Sequence, residues 1–209
     1  MKIASWNVNS LSVRLDQVID WLNSSQVDVL CLQELKMETH KFPEEAFKAI
    51  GYHAAWSGQK TYNGVAILSK TSLENVQINN PLYPDEQQRL IAADIKNGET
   101  TVRVIGVYCP NGSSLESDKF TYKMAWFEAL RQYMQAQLAQ YPQVVLTGDF
   151  NIAPEDRDAH AKYNGDILVS PMERAHFQAL LDLGMKDSFR LFEQEEKSFS
   201  WWDYRQFGF

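Results

Sequence analysis

Two hydrophobic periods alternate along this chain, and the switches between them predict its elements. Lys2 to Asn9 reads as a strand with Ile3, Ser5, Asn7 and Asn9 on one side. Ser12 is positioned to cap the helix that follows, whose face is Leu15, Val18, Ile19 and Leu22, and Asn23-Ser24-Ser25 ends it. Val27 to Gln33 is a second apolar strand, followed at once by Glu34. Phe42-Pro43-Glu44-Glu45 opens a short helix that Gly51 closes. Tyr52 to Ser57 and Gly64 to Lys70 read as strands, the second apolar enough to be central. Arg89 to Lys96 and Thr100 to Tyr108 pair across an Asn97-Gly98 hairpin turn. Phe120 to Leu138 is the longest helix, with Tyr122, Ala125, Trp126, Ala129, Leu130 and Tyr133 as a core-facing stripe. Val144-Val145-Leu146 is a buried central strand ending in Thr147-Gly148-Asp149-Phe150-Asn151, with Gly148 as a turn residue. Pro154 to Ser170 is a surface loop, and Pro171 to Leu183 a helix stopped by Gly184.

Strands alternating with helices indicate an α/β domain. The 209 residues suit a single domain over 1–209, and no repeat or linker divides them. No apolar run approaches the ~20 residues of a membrane helix, and the first residues lack the apolar core of a signal peptide. The expectation is therefore a protein without a membrane partner. Cys31 and Cys109 lie in apolar strand-like contexts without metal-ligand spacing, so they read as buried free thiols of a reducing compartment, the cytoplasm. The net charge of -7 argues against indiscriminate nucleic-acid binding. It leaves room for a basic rim around an acidic metal site.

The chemistry lies at strand ends. Asn7, Glu34, Tyr108, Asp149 and Asn151 end or follow four of the strands, at the sheet rim where α/β sites are built. Extended backbone would point Asp149 and Asn151 to one side. A carboxylate can take a proton from water, and an amide can donate to a phosphoryl oxygen. Each residue alone also has a plain structural explanation: an Asx turn for Asp149 and Asn151, a solvated rim for Glu34, an aromatic core cap for Tyr108. The set lacks HExxH, CxxC, a His pair, a Gly-rich phosphate loop and GxSxG. Carboxylates with amides favour a hard cation such as Mg²⁺ over zinc.

Six segments occur in order: Lys-Ile-Ala-Ser-Trp-Asn-Val-Asn, Leu-Gln-Glu-Leu-Lys, Gly-Val-Ala-Ile-Leu-Ser-Lys, Tyr-Cys-Pro-Asn-Gly, Gly-Asp-Phe-Asn-Ile-Ala-Pro and Phe-Ser-Trp-Trp-Asp-Tyr-Arg. Together they resemble the exonuclease III family of abasic-site endonucleases, within the endonuclease/exonuclease/phosphatase superfamily. The resemblance implies a four-layer α/β sandwich, two packed mixed β-sheets flanked by helices. It implies a monomer that cuts duplex DNA 5′ to abasic sites and degrades it from 3′ ends, using one or two Mg²⁺ or Mn²⁺ ions. In that scheme Glu34 holds the metal, with Asn7 beside it and Asn9 near. Asp149 activates or orients water, Asn151 bonds the scissile phosphate, and Tyr108 contacts it. Trp201 packs on the flipped-out abasic sugar, Arg205 enters the DNA, and Asn111 and Arg89 touch its backbone.

Two departures accompany the resemblance. Leu35 stands where the family often has Thr. The family also continues into an Arg-Ile-Asp strand and a Ser-Asp-His end that this sequence lacks, and His40, His53, His160 and His176 do not replace that histidine. The expected sandwich is thus one missing its last strands. Two other functions stay open: a superfamily phosphoesterase on inositol phosphate or phospholipid, and an inactive DNA-binding fragment.

Overall fold

A computed structural model describes residues 1–161 and 167–201. The chain forms two compact units, one of residues 1–108 and 136–150, the other of 109–135 and 151–209.

The first unit holds eight strands in two four-stranded sheets. One sheet contains β1 (Ile3–Asn7), β2 (Val29–Gln33), β3 (His53–Ser57) and β4 (Val65–Ser69) in the order β1-β2-β4-β3. The other contains β5 (Leu73–Ile78), β6 (Leu90–Asn97), β7 (Thr100–Tyr108) and β8 (Val144–Asp149) in sequence order. Both sheets are mixed: β1 runs parallel to β2 and β7 to β8, and the other pairs are antiparallel. Parallel neighbours need a long crossover. Helix α1 (Leu11–Ser25) supplies it in the first sheet, and α3 (Asp118–Gln140) lies in the connection from β7 to β8.

Strand alternation builds the packing. Leu30 and Leu32 of β2 and Ala66 and Leu68 of β4 face a helix-covered core with Val18 and Leu22 of α1 and Phe47 of α2 (Glu44–Ala49). Their neighbours Val29, Cys31, Val65 and Ile67 face the opposite way, against Ile91, Ala93, Val102 and Val104 of the second sheet. The two mixed sheets with helices outside them are the expected α/β sandwich. Cys31 and Cys109 are free and buried, as predicted, and burial pushes the Cys31 thiol up to about 12. No helix among the described residues is long and apolar enough to cross a membrane.

The structure corrects several expectations. β1 stops at Asn7, because Asn9 and Ser10 take φ of 41° and 91°. Asn9 therefore leaves the strand's alternation. The α1 N-cap position is Ser10, which makes no side-chain cap bond, and Ser12 lies inside the helix. β5 was not anticipated: its burial is slight and irregular, and a shift in pairing with β6 falls between Glu74 and Gln77. In the β6–β7 hairpin Asn97 pairs with Thr100, so Gly98-Glu99 form the turn. β8 is not central. Among the described residues it is one of the two edge strands of its sheet, β5 being the other, and it is only half-buried along its length. Gly148 sits inside β8 with φ 146°, where an added Cβ would lie 1.9 Å from the Val107 carbonyl oxygen of β7. Its role is close approach between strands, not a turn.

In the second unit α4 (Pro171–Leu181) starts from Ser170 with a reciprocal capping box to Glu173, and Pro171 fits its first turn. The loop before it contains a 3-10 turn over Asp156–Asp158. Asp158, buried, accepts hydrogen bonds from Arg190 at 2.5 Å and Ser200 at 2.9 Å, which fastens the segment leading to Trp201.

Candidate active site

Strand register brings four of the expected residues to one rim of the first unit. Asn7 of β1 is opposite Gln33 of β2, and Glu34 follows. Tyr108 of β7 is opposite Asp149 of β8. Parallel pairing explains this, since both members of each pair leave their sheet at the carboxyl end.

Asn7 links the two sheets' contributions. Its Nδ2 donates to Glu34 Oε1 and to Asp149 Oδ2, each at 2.8 Å, although Asp149 lies 142 residues away in sequence. The amide nitrogen must face the carboxylates, because its oxygen would repel both. Asn7 Oδ1 instead accepts from the Asn9 backbone N–H at 3.0 Å.

Glu34 is held on both sides. Its backbone has φ 56° and Lys36 has φ 52°, a left-handed geometry that residues with a Cβ seldom adopt. Leu35 between them is fully buried, and its N–H bonds the Gly64 carbonyl at 3.2 Å. That anchor turns the two charged neighbours toward the rim, so a buried apolar residue suits the position where the family often has Thr. Lys36 Nζ lies 2.8 Å from Glu34 Oε2 and also donates to Asn9 Oδ1. Burial pushes the Glu34 carboxyl up, but hydrogen bonds from Asn7, Lys36 and Tyr108 with the Lys36 charge outweigh it, and the net shift is downward.

Tyr108 shows the opposite balance. Burial, the charges of Glu34 and Asp149 and its hydrogen bond to Glu34 raise its phenol well above the ordinary value, so it stays a donor. The Arg89 guanidinium stacks 4.9 Å from the Tyr108 ring centroid and bonds its carbonyl at 3.1 Å, while Nε and Nη2 go to Gln87.

The second unit carries Asn151, Asn111 and Trp201. Asn151 has φ 48°, so strand alternation does not extend from Asp149 to it, contrary to expectation. Its Nδ2 donates to the Cys109 carbonyl at 2.9 Å. Its Oδ1 accepts from Asn111 Nδ2 and Trp201 Nε1, both at 3.3 Å. Arg205 lies outside the described residues. His40, His53 and His160 are exposed, and His176 is half-buried on α4.

Sequence reasoning missed Lys36, Lys123 and Glu173. Lys36 ends the Leu-Gln-Glu-Leu-Lys segment, where nothing in the local pattern marks a role for it. Lys123 occupies an apolar-stripe position of α3, with Phe120, Phe127, Leu130 and Met134 buried on the same spacing. A charge inside such a stripe was the available signal, as Ser170-Pro171-Met172-Glu173 was for the cap.

Donor chemistry at the rim suits a hard cation. Glu34, Asn7 and Asp149 offer oxygen and amide groups, and Glu34 already attracts the Lys36 ammonium. Among the described residues, no group of three or more His, Cys, Asp or Glu is arranged to hold a metal ion by itself, so the amides and substrate oxygens would complete the shell of an ion at Glu34.

Comparison with known proteins agrees with this geometry. The family model described as the endonuclease/exonuclease/phosphatase family matches residues 4–208. Exodeoxyribonuclease III of Haemophilus influenzae is 35% identical over 220 residues, spanning 100% of this chain and 82% of that protein. The 3′-5′ exonuclease NExo of Neisseria meningitidis is 48% identical, with a TM-score of 0.93 over 99% of this chain and 80% of that one. An AP endonuclease from Archaeoglobus fulgidus is 38% identical, with a TM-score of 0.91 over 100% and 80%. With carboxylates and amides at the carboxyl ends of paired strands and a family match along nearly the whole chain, this protein belongs to the endonuclease/exonuclease/phosphatase family.

Proposed function

We propose that the protein is a DNA-repair nuclease that hydrolyses phosphodiesters 5′ to abasic sites and at 3′ ends of duplex DNA. The observation that carries the reading is the Asn7 amide bridging the Glu34 and Asp149 carboxylates at 2.8 Å each. That bridge holds two carboxylates close without neutralising either. One is then available for a divalent ion and the other for water. The nuclease relatives support DNA as the substrate class.

Glu34 holds Mg²⁺ or Mn²⁺ in this reading, with Asn7 and Asn9 beside it. When bound, the ion offsets negative charge on the phosphoryl oxygens. Asp149 accepts a proton from water and aims its oxygen at phosphorus. Asn151 follows Asp149 by two residues, at most ~7 Å of backbone. Its amide donates to a phosphoryl oxygen. Tyr108, kept protonated, is a donor to a phosphoryl oxygen beside Asp149. Arg89 holds Tyr108 and adds positive charge for the DNA backbone, and the Asn111 amide is a neutral hydrogen-bond donor to it. Trp201 packs on the sugar of an abasic nucleotide, which costs less to extrude than a paired one.

The test is cleavage of a labelled duplex carrying one abasic analogue, beside a recessed 3′ end, a 3′-phosphate end and an inositol phosphate, each with Mg²⁺ and with EDTA. Metal-dependent cutting 5′ to the lesion supports the reading. Turnover of the inositol phosphate alone would overturn it in favour of a phosphoesterase. Metal-independent binding without cutting would indicate a DNA-binding role.

A further inference from the structure

One buried ion pair in the second unit has no part in the chemistry above. Lys123 and Glu173 are both fully buried, and Lys123 Nζ donates to Glu173 Oε1. The same ammonium donates to the backbone carbonyls of Asn151 at 2.6 Å and Asn111 at 3.1 Å. An ammonium has three N–H groups, and here they face three acceptors. Glu173 is equally engaged. Its Oε1 also accepts from the Leu168 N–H at 2.9 Å, and its Oε2 from Ser170 N–H at 3.1 Å and Ser170 Oγ at 2.6 Å.

A charged pair with no exposure is costly to desolvate, and apolar side chains of the same volume would serve stability as well or better. A purely structural role does not explain why the ammonium is spent on the carbonyls of two asparagines whose side chains also meet each other. Asn151 needs such restraint, since its backbone stands at φ 48°. Its side chain is held by Cys109, Asn111 and Trp201, and its main-chain carbonyl accepts from Lys123.

We propose that Lys123 and Glu173 are positioning residues: the ion pair anchored on α3 and α4 locks the Asn111 and Asn151 backbones so that the Asn151 amide is preset for the scissile phosphate. The inference rests on the nuclease reading for what Asn151 contacts, and on the geometry above for the locking. Misplacing a catalytic group by about 1 Å can cost on the order of 100-fold in rate. The stabilisation lost would fall in the transition state more than in DNA binding.

The test uses the full chain. Lys123→Met/Glu173→Gln removes both charges together, and Lys123→Arg keeps the charge pair but spreads the donors over a plane that cannot meet the same three acceptors. Kinetics on the abasic duplex are read beside ¹H–¹⁵N spectra, following the amides of Gly112 and Ile152 next to the two carbonyls. The double variant should show kcat lower by about 10- to 100-fold with KM within about 2-fold, and both amides displaced. Lys123→Arg should displace the same amides with a smaller loss of kcat. Unmoved amides, or wild-type kcat in a folded variant, would overturn the positioning role. If the double variant does not fold, Lys123→Arg decides by the same criteria. A wild-type protein that cuts no DNA would instead remove the nuclease reading, while the spectra still decide whether the pair locks the two asparagines.

Discussion

Glu34 is the residue on which several forces meet. Its depressed carboxyl gives a defined pH signature. The ionised form is favoured in the folded state, so its contribution to stability is present above the ordinary value near 4.5 and lost as pH falls through the lower folded value. Thermal melts in EDTA should show wild type exceeding Glu34→Gln at pH 7, with the gap closing below pH 4.5. A gap that stays constant down to pH 3 would refute the shift. Asn7 donates to both carboxylates, so Asn7→Ala should raise the Glu34 titration, as followed by carboxyl ¹³C shifts, and lower kcat by about 100-fold. Asp149→Ala should abolish cleavage while leaving the melting curve close to wild type. Full activity in that variant would remove Asp149 from its proposed role. The identities of Asn7, Glu34, Tyr108 and Asp149 as candidates were readable because each ends or follows an apolar strand. Lys36 was not, because nothing in local pattern says that a lysine two residues on turns back to the same carboxylate.

At the level of elements, two interactions make separable predictions. Gly148→Ala would force a Cβ against the Val107 carbonyl at 1.9 Å inside the β7–β8 pair. Neither backbone can yield without breaking the ladder, so unfolding in urea should report a loss above about 3 kcal/mol. Ser170→Ala removes the α4 cap and one partner of Glu173, and should cost about 1–2 kcal/mol. Helix α1 was legible from its 3.6-residue stripe and α4 from Pro171 at its start and Gly184 after its end; α3 was found as the longest pattern, but Ala125 of its expected stripe is exposed while Phe120, Lys123, Phe127 and Met134 are buried. β5 was not, because a barely buried strand has no alternation to display and forms only because β6 offers it an edge. β8 was recognised as a strand but misplaced in its sheet. Apolarity reports that Val144 to Leu146 avoid water, not how many strands lie beside them.

For the whole molecule, the excess of 27 acidic over 20 basic residues bears on how DNA is held. Binding should rest on a few phosphate contacts, so affinity should fall between 50 and 200 mM salt less steeply than for a protein making about 6–10 contacts. Fluorescence anisotropy on an abasic duplex measures that slope, and a slope as steep as a strongly basic binder's would contradict the expectation. The chain's sequence by itself determined the α/β class, most strands and helices, the buried thiols, and which polar residues stand at strand ends, because all of these follow from hydrophobic period and turn chemistry within a few residues. Only the tertiary structure decided that Asn7 and Asp149 meet, that β8 is an edge strand among the described residues, that Gly148 must lack a side chain, and that Lys123 and Glu173 are paired inside the protein. Those facts join residues tens to more than a hundred positions apart, and such contacts depend on sheet order and register, which local pattern does not encode.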